Sequence, residues 1–376
     1  MKTLAIVAFA FFSSLVWSQT GTMISNSYQY DGETREYKLY VPASYDGTTA
    51  VPLVFNLHGY TSNMDQQIAY GDFRAIADTA NFLVIHPNGT LDTGGNRFWN
   101  AFGASGVDDI GFLSSLIDTI NNDYNIDFNR VYSTGMSNGG YMSYELACQL
   151  GNRIAAIASV TGAMTNNRMT ACNAPKPTPV MQIHGTEDPT VPYNGGANNA
   201  SIPDIIDFWV QQTNCNPTPT IDQVPDTDPN DGCTAEHHVY MGGDQGATVE
   251  LFKIENGEHT WPGAPIDIGV TNHDINASVE IWRFFSQYSK DQLVGINTEK
   301  KTSKELIIYP NPSSGLFELS TDVEVVRYTV CDMSGRLIRS GKDSPKRIDL
   351  REAGVGVYVV KFITKNNHIT KRLLVE

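Results

Sequence analysis

The distribution of apolar positions divides the chain into two parts of different character. Residues 24–41 alternate apolar and polar side chains around a turn at Asp31-Gly32, the period of two half-buried strands. From residue 51 the pattern changes to short continuous apolar runs ending in turns: VPLVFNLHG, FLVIHPNG, VYSTG, AAIASVTG and PTPVMQIHG. Runs of this kind suit strands buried on both faces. Helical stretches separate them, around 66–80, in IGFLSSLIDTINNDY and in MSNGGYMSYELACQL. Alternating strands and helices predict an α/β fold, a doubly wound, mainly parallel sheet with helices on both faces. Segment 216–233, NPTPTIDQVPDTDPNDGC, is rich in Pro and Asp and reads as a surface loop. After RFFSQYSK the pattern stops. Residues 289–304 are polar and read as a linker. Residues 305–376 alternate in short strands with turn residues, the pattern of a small all-β sandwich. The expected domains are therefore 19–288 and 305–376.

The N-terminus adds an address. Lys2 precedes an apolar stretch, Leu4–Val16, and Val16-Trp17-Ser18 suits cleavage before Gln19, so residues 1–18 read as a removable secretory signal. No later segment is apolar enough to span a membrane, so the mature chain is expected to have no membrane span. The formal net charge of −15 argues against nucleic acid, whose phosphates would repel it. Export admits disulfides. Four of the five cysteines lie centrally, and local pairing would give Cys148–Cys172 and Cys215–Cys233, although four cysteines allow three pairings. Cys331 falls in an apolar strand-like run and reads as a buried free thiol.

Candidate chemistry centres on Gly135-Met136-Ser137-Asn138-Gly139. A serine hydroxyl is inert at neutral pH unless a base takes its proton. Here the serine sits between a strand and a helix, the setting of a nucleophile elbow, and the Asn138 N–H lies at a helix N-terminus that favours a developing oxyanion. A base and an orienting acid should follow in chain order. The loop after PTPVMQIHG offers Asp188, with adjacent Glu187 as its competitor. Of eight histidines, His259 alone both follows that acid and lies in a loop after a strand. A second oxyanion donor is expected from an early strand-to-helix loop, where the backbone N–H of Tyr60 fits and Asn63 is placed to brace the loop. Trp261, two positions after His259, and Trp99 are candidates for stacking on a substrate ring, against a packing role. The DTDPNDG stretch matches a calcium loop only loosely, with its glycine one place late and a proline interrupting, so no metal is assigned.

The stretches LHGYTSN, WNAFGASGVDDIGFL, STGMSNGGYMS, IHGTEDPTVPYNGG, PDTDPNDG and GEHTWPG together resemble the secreted esterase and polyhydroxybutyrate-depolymerase family of α/β-hydrolases, which includes feruloyl and acetylxylan esterases. The resemblance covers roughly 24–287. It implies Ser137 as nucleophile, Asp188 as acid and His259 as base, with no cofactor. The family often has Gly or Cys where this chain has Tyr60, a change that spares a backbone donor but alters the wall above it. In the tail, YPNPSSGLFEL, VCDMSGRLI, GVGVYVVKF and KRLLVE resemble the C-terminal sorting module of type IX secretion, which implies a secreted or surface-attached protein and the type IX machinery as partner. The expected substrate is an ester-bearing polymer, feruloylated or acetylated plant polysaccharide first and a polyester such as polyhydroxybutyrate second. The different-class alternative is a surface-binding protein with an inactive hydrolase domain.

Overall fold

The computed structural model describes residues 21–291 apart from 104, 105 and 197, and residues 306–375 apart from 310, 312, 322–324, 333–335, 343–344 and 365–367. The signal segment, and the linker beyond residue 291, lie outside the described residues. The chain divides into two compact units, 1–295 and 296–376.

In the first unit the chain runs β1 (Thr22–Tyr30), β2 (Glu33–Val41), β3 (Val51–Leu57), α1 (Met64–Tyr70), α2 (Arg74–Ala80) and β4 (Leu83–Pro87). A small hairpin follows, β5 (Thr90–Leu91) and β6 (Arg97–Phe98), then α3 (Asp109–Asp123), β7 (Ile126–Met136), α4 (Asn138–Leu150) and β8 (Ala156–Val160). The unit closes with α5 (Asn166–Ala171), β9 (Val180–Gly185), α6 (Ile202–Gln212), β10 (Thr220–Gln223), β11 (Thr234–Tyr240), β12 (Val249–Glu255) and α7 (Ala277–Phe285). Ten strands form one sheet in the order β1-β2-β4-β3-β7-β8-β9-β12-β11-β10. The six central strands, β4 to β12 in that order, are parallel, and antiparallel strands flank them on both sides.

Both faces of this sheet are packed, which is why its central strands read as unbroken apolar runs. Leu53, Phe55 and Leu57 of β3 join Phe112, Leu116, Tyr144 and Trp209 in one core, on the side of α3, α4 and α6. Val54 joins Ala158, Ile183, Ile281 and Phe285 in the other, on the side of α2 and α7. The expected helix over 66–80 is two helices, because the chain turns at Gly71, whose carbonyl accepts from Asn56 Nδ2 at 2.8 Å.

Three expectations need correction. Segment 216–233 contains an edge strand, β10, whose four residues are all exposed and which pairs with β11, so its polar sequence is that of a solvated edge. Cys148 and Cys172 form a disulfide, but Cys215 and Cys233 are free. The physical reason is that these two thiols are buried in the two different cores, on opposite faces of the sheet. Cys215 Sγ lies 3.4 Å from the Ala247 carbonyl, and Cys233 Sγ lies 3.3 Å from Asp231 Oδ1. Cys331 is free but only half-buried.

The second unit has two antiparallel sheets. One orders β13 (Leu306–Tyr309), β14 (Leu316–Thr321) and β17 (Arg347–Asp349); the other orders β16 (Leu337–Lys342), β15 (Val325–Asp332), β18 (Gly356–Thr364) and β19 (His368–Val375). Phe317, Val330, Ile348, Val360, Phe362 and Leu373 form its core. Among the described residues no helix is long and apolar enough to cross a membrane.

Candidate active site

Strands β3, β7, β9 and β12 are parallel, so the loops that leave them emerge at one edge of the sheet. Those loops carry Tyr60, Ser137, Asp188 and His259 respectively.

Ser137 joins β7 to α4 at φ 53° and ψ −118°, a backbone conformation that L-residues rarely adopt. Glycine is required on both sides of it. A Cβ on Gly135 would come within 2.6 Å of the Leu57 carbonyl oxygen, and one on Gly139 within 2.3 Å of the same atom. These close approaches press the elbow against the end of β3, where the Tyr60 loop begins.

His259 Nδ1–H donates to Asp188 Oδ2 at 2.7 Å. Asp188 is buried, whereas Glu187 is exposed. Asp188 Oδ1 accepts the N–H groups of Thr190 and Val191, each at 2.8 Å. His184 Nε2 stands 3.4 Å from Asp188 Oδ2 and donates at 2.8 Å to the Val191 carbonyl. Burial pushes the Asp188 carboxyl up, but the hydrogen bonds from His184 and His259 and the Val191 N–H outweigh it and hold the group well below the usual carboxylate range. It is therefore a carboxylate at neutral pH, fixed on both oxygens. His184 completes a buried chain: its Nδ1 accepts from Gln182 Nε2 at 2.8 Å, and Gln182 Oε1 accepts from the Tyr144 hydroxyl at 2.6 Å.

Ser137 and His259 line one cleft of about 510 Å³, together with Tyr60, Tyr70, Ile266 and Ile268. The Tyr60 ring is half exposed, and its hydroxyl donates to Asp92 Oδ2 at 2.6 Å, which pins the ring against the β5–β6 hairpin. Ile266 and Ile268 are largely exposed, on the segment after His259. That segment is tied to the Asp-rich loop: Asp274 Oδ1 accepts the N–H of Thr227 at 2.6 Å, and Asp231 Oδ2 accepts the N–H of His273 at 2.7 Å. Among the described residues no group of three or more His, Cys, Asp or Glu side chains is arranged to hold a metal.

The backbone N–H groups of Tyr60 and Asn138 meet no acceptor among the described residues. Asn63 caps α1, its side chain accepting from the N–H groups of Asp65 and Gln66. The two tryptophans do not reach the cleft. Trp261 is 1% exposed, packs edge-on against Phe73 and donates through Nε1 to Ser278 Oγ at 3.2 Å. Trp99 is fully buried and donates through Nε1 to the His58 carbonyl at 3.0 Å. Both rings are enclosed by neighbouring elements, so neither is available for stacking on a substrate. Ile266, Ile268 and Tyr70 carried no motif in the sequence. Only their tertiary placement beside Ser137 marks them.

Residues 35–210 match the esterase family described as PHB depolymerase, and residues 307–376 match the secretion system C-terminal sorting domain. A bifunctional acetylxylan esterase/xylanase of Neocallimastix patriciarum is 27% identical over 268 residues, 71% of this chain and 35% of that protein. This chain thus spans about a third of that relative's length. Feruloyl esterase D of Neurospora crassa is 27% identical over 266 residues, covering 69% of this chain and 84% of that one. Among solved structures, an acetyl xylan esterase from Aspergillus awamori matches with a TM-score of 0.52 at 14% identity, over 71% of this chain and 99% of that chain. At that identity the likeness is one of fold.

Proposed function

We propose that the chain, whose residues 35–210 match the PHB-depolymerase esterase family and whose residues 307–376 match a secretion sorting domain, is a secreted serine carboxylesterase working through Ser137, His259 and Asp188. The observation that supports this reading best is the 2.7 Å bond from His259 to the buried Asp188 carboxylate, with His259 and Ser137 on one cleft.

Each step follows from the placement of these groups. Asp188 holds the imidazole with its proton on Nδ1, which leaves the Nε2 lone pair to accept the Ser137 proton. Ser137 Oγ attacks the ester carbonyl. The N–H groups of Tyr60 and Asn138 stabilise the tetrahedral oxyanion, a term worth about 2.7–4 kcal/mol per donor. His259 then protonates the departing alkoxide. Water, deprotonated by the same imidazole, hydrolyses the acyl-enzyme and restores Ser137.

The favoured substrate is a feruloyl or acetyl ester on plant polysaccharide, in line with the names of the relatives. The largely apolar mouth, with Tyr60, Ile266 and Ile268, also suits a polyester such as polyhydroxybutyrate. The tail would engage the type IX secretion machinery.

The test compares wild type with Ser137→Ala on short p-nitrophenyl esters. Turnover by the wild type and its loss in the variant are expected, and equal turnover by both would sink the reading. Release of ferulate, acetate or 3-hydroxybutyrate from the matching polymers then ranks the substrates, and dominant 3-hydroxybutyrate favours the polyester.

A further inference from the structure

The two backbone donors assigned to the oxyanion come from loops distant in sequence, after β3 and before α4. Nothing in either loop alone sets the angle between them. One residue touches both. Trp99 Nε1–H donates to the His58 carbonyl at 3.0 Å, immediately before the Gly59–Tyr60 peptide. On its backbone side, the Trp99 N–H donates to Asn138 Oδ1 at 2.6 Å, and Asn138 Nδ2 donates to the Trp99 carbonyl at 3.0 Å. The Asn138 side chain is thus locked to Trp99 by two bonds while its main-chain N–H stays unpaired among the described residues.

His58 completes the device. Its Nε2 accepts the Gly89 N–H at 2.9 Å, so the ring proton is on Nδ1, which donates to the Gly59 carbonyl at 2.7 Å. That carbonyl and the Tyr60 N–H belong to one planar trans peptide and point in opposite directions. Holding the carbonyl therefore aims the N–H. Burial pushes the His58 imidazole down to about 4, so the ring is neutral and keeps this pattern at working pH. The His58 and Trp99 rings lie 5.1 Å apart, and both are fully buried. The Trp99 loop is itself anchored. The Asn100 N–H donates to Asp109 Oδ2 at 2.7 Å, and Asp109 pairs with the buried Arg35 at 2.6 Å.

We propose that Trp99 is a positioning residue that brackets the two oxyanion donors, fixing the Tyr60 amide through the His58 backbone and the Asn138 amide through the Asn138 side chain. This rests on the esterase reading and on the assignment of those two amides. A bracket of this kind acts on the tetrahedral oxyanion, which every ester forms. Its loss lowers kcat by one factor for all acyl groups and leaves KM unchanged. A substrate-stacking role would instead change KM in an acyl-dependent way.

The experiment uses Trp99→Phe, which keeps a buried ring and removes Nε1–H, and Asn138→Ala, which keeps the amide and removes the side-chain lock. kcat and KM are measured on p-nitrophenyl acetate, butyrate and ferulate, together with Ki for a trifluoromethyl ketone that forms a tetrahedral adduct with serine. Each variant is expected to lose roughly 10- to 100-fold in kcat, the scale of a misplaced donor. Ki should rise by the same factor, and the double variant should lose little more than either single one. If Trp99→Phe gives no folded protein, Asn138→Ala carries the same test. Unmoved kinetics, an acyl-dependent KM change, or losses that multiply in the double variant overturn the bracket alone. A folded wild type that hydrolyses none of the esters overturns the esterase reading and the bracket with it.

Discussion

Replacing Asp188 by Asn removes one charge and exchanges one oxygen for an NH2, yet the surroundings leave that NH2 no good position. One carboxylate oxygen accepts two backbone N–H groups at 2.8 Å, and the other accepts His259 Nδ1 at 2.7 Å with His184 Nε2 at 3.4 Å. With its oxygen toward the backbone, the amide presents N–H to His259. The imidazole then holds its proton on Nε2 and cannot accept one from Ser137. With the amide flipped, NH2 meets the N–H groups of Thr190 and Val191; the buried Val191 donor loses its acceptor at about 1–3 kcal/mol, and the more exposed Thr190 donor loses less. The productive tautomer thus lies at least about 1–3 kcal/mol above the unproductive one. The charge that stabilises the imidazolium is lost as well. A fall in kcat on the order of 10⁴, or about 5.5 kcal/mol, is expected. The assay is kcat/KM on p-nitrophenyl acetate, with the melting temperature to confirm folding. Glu187→Gln, at the exposed neighbour, is expected to retain full activity. A folded Asp188→Asn enzyme that loses less than tenfold would refute the reasoning.

Two further outcomes concern stability. Burial lowers His58 from 6.5 to about 4 and His86 from 6.5 to about 3. Between pH 6.5 and those values the unfolded chain binds protons that the folded chain does not, so stability is complete above pH 6.5 and falls as the solution is acidified. By pH 4.5 the loss is roughly 2–3 kcal/mol per histidine, read as a lower urea midpoint than at pH 7; an unchanged midpoint would count against buried neutral rings. The disulfide Cys148–Cys172 closes a loop with a sequence separation of 24 and joins the end of α4 to the residue after α5. Replacing both cysteines by Ser should lower stability by about 3 kcal/mol in denaturant titrations, and an effect below 1 kcal/mol would place the restraint elsewhere, such as in the Arg168–Glu145 ion pair.

Local patterns carry a great deal here, because strand burial and helix amphipathicity repeat over a few residues. The apolar runs ending at Leu57, Pro87 and Gly185 are legible as strands without any partner in view. Ser137 is equally legible, since the flanking Gly135 and Gly139 answer a steric demand made within one turn. Chain order reaches further and narrows the acid to Glu187 or Asp188 and the base to His259. It cannot choose between adjacent carboxylates, because that depends on which one turns inward toward a histidine 71 residues away. Local pairing of cysteines holds for Cys148–Cys172 and fails for the other pair for the same reason: Cys215 and Cys233 are near in sequence, but the sheet lies between the cores that hold them. Position along the chain leaves Trp99 and Trp261 between stacking on a substrate ring and packing, and the structure buries both. Sequence by itself thus determined the α/β scaffold, the elbow and the order of its chemical groups, all short-range or one-dimensional properties. Only the tertiary structure decided which carboxylate faces His259, which thiols meet, and that Trp99 bonds both the His58 carbonyl and the Asn138 side chain, because each depends on contacts between distant segments.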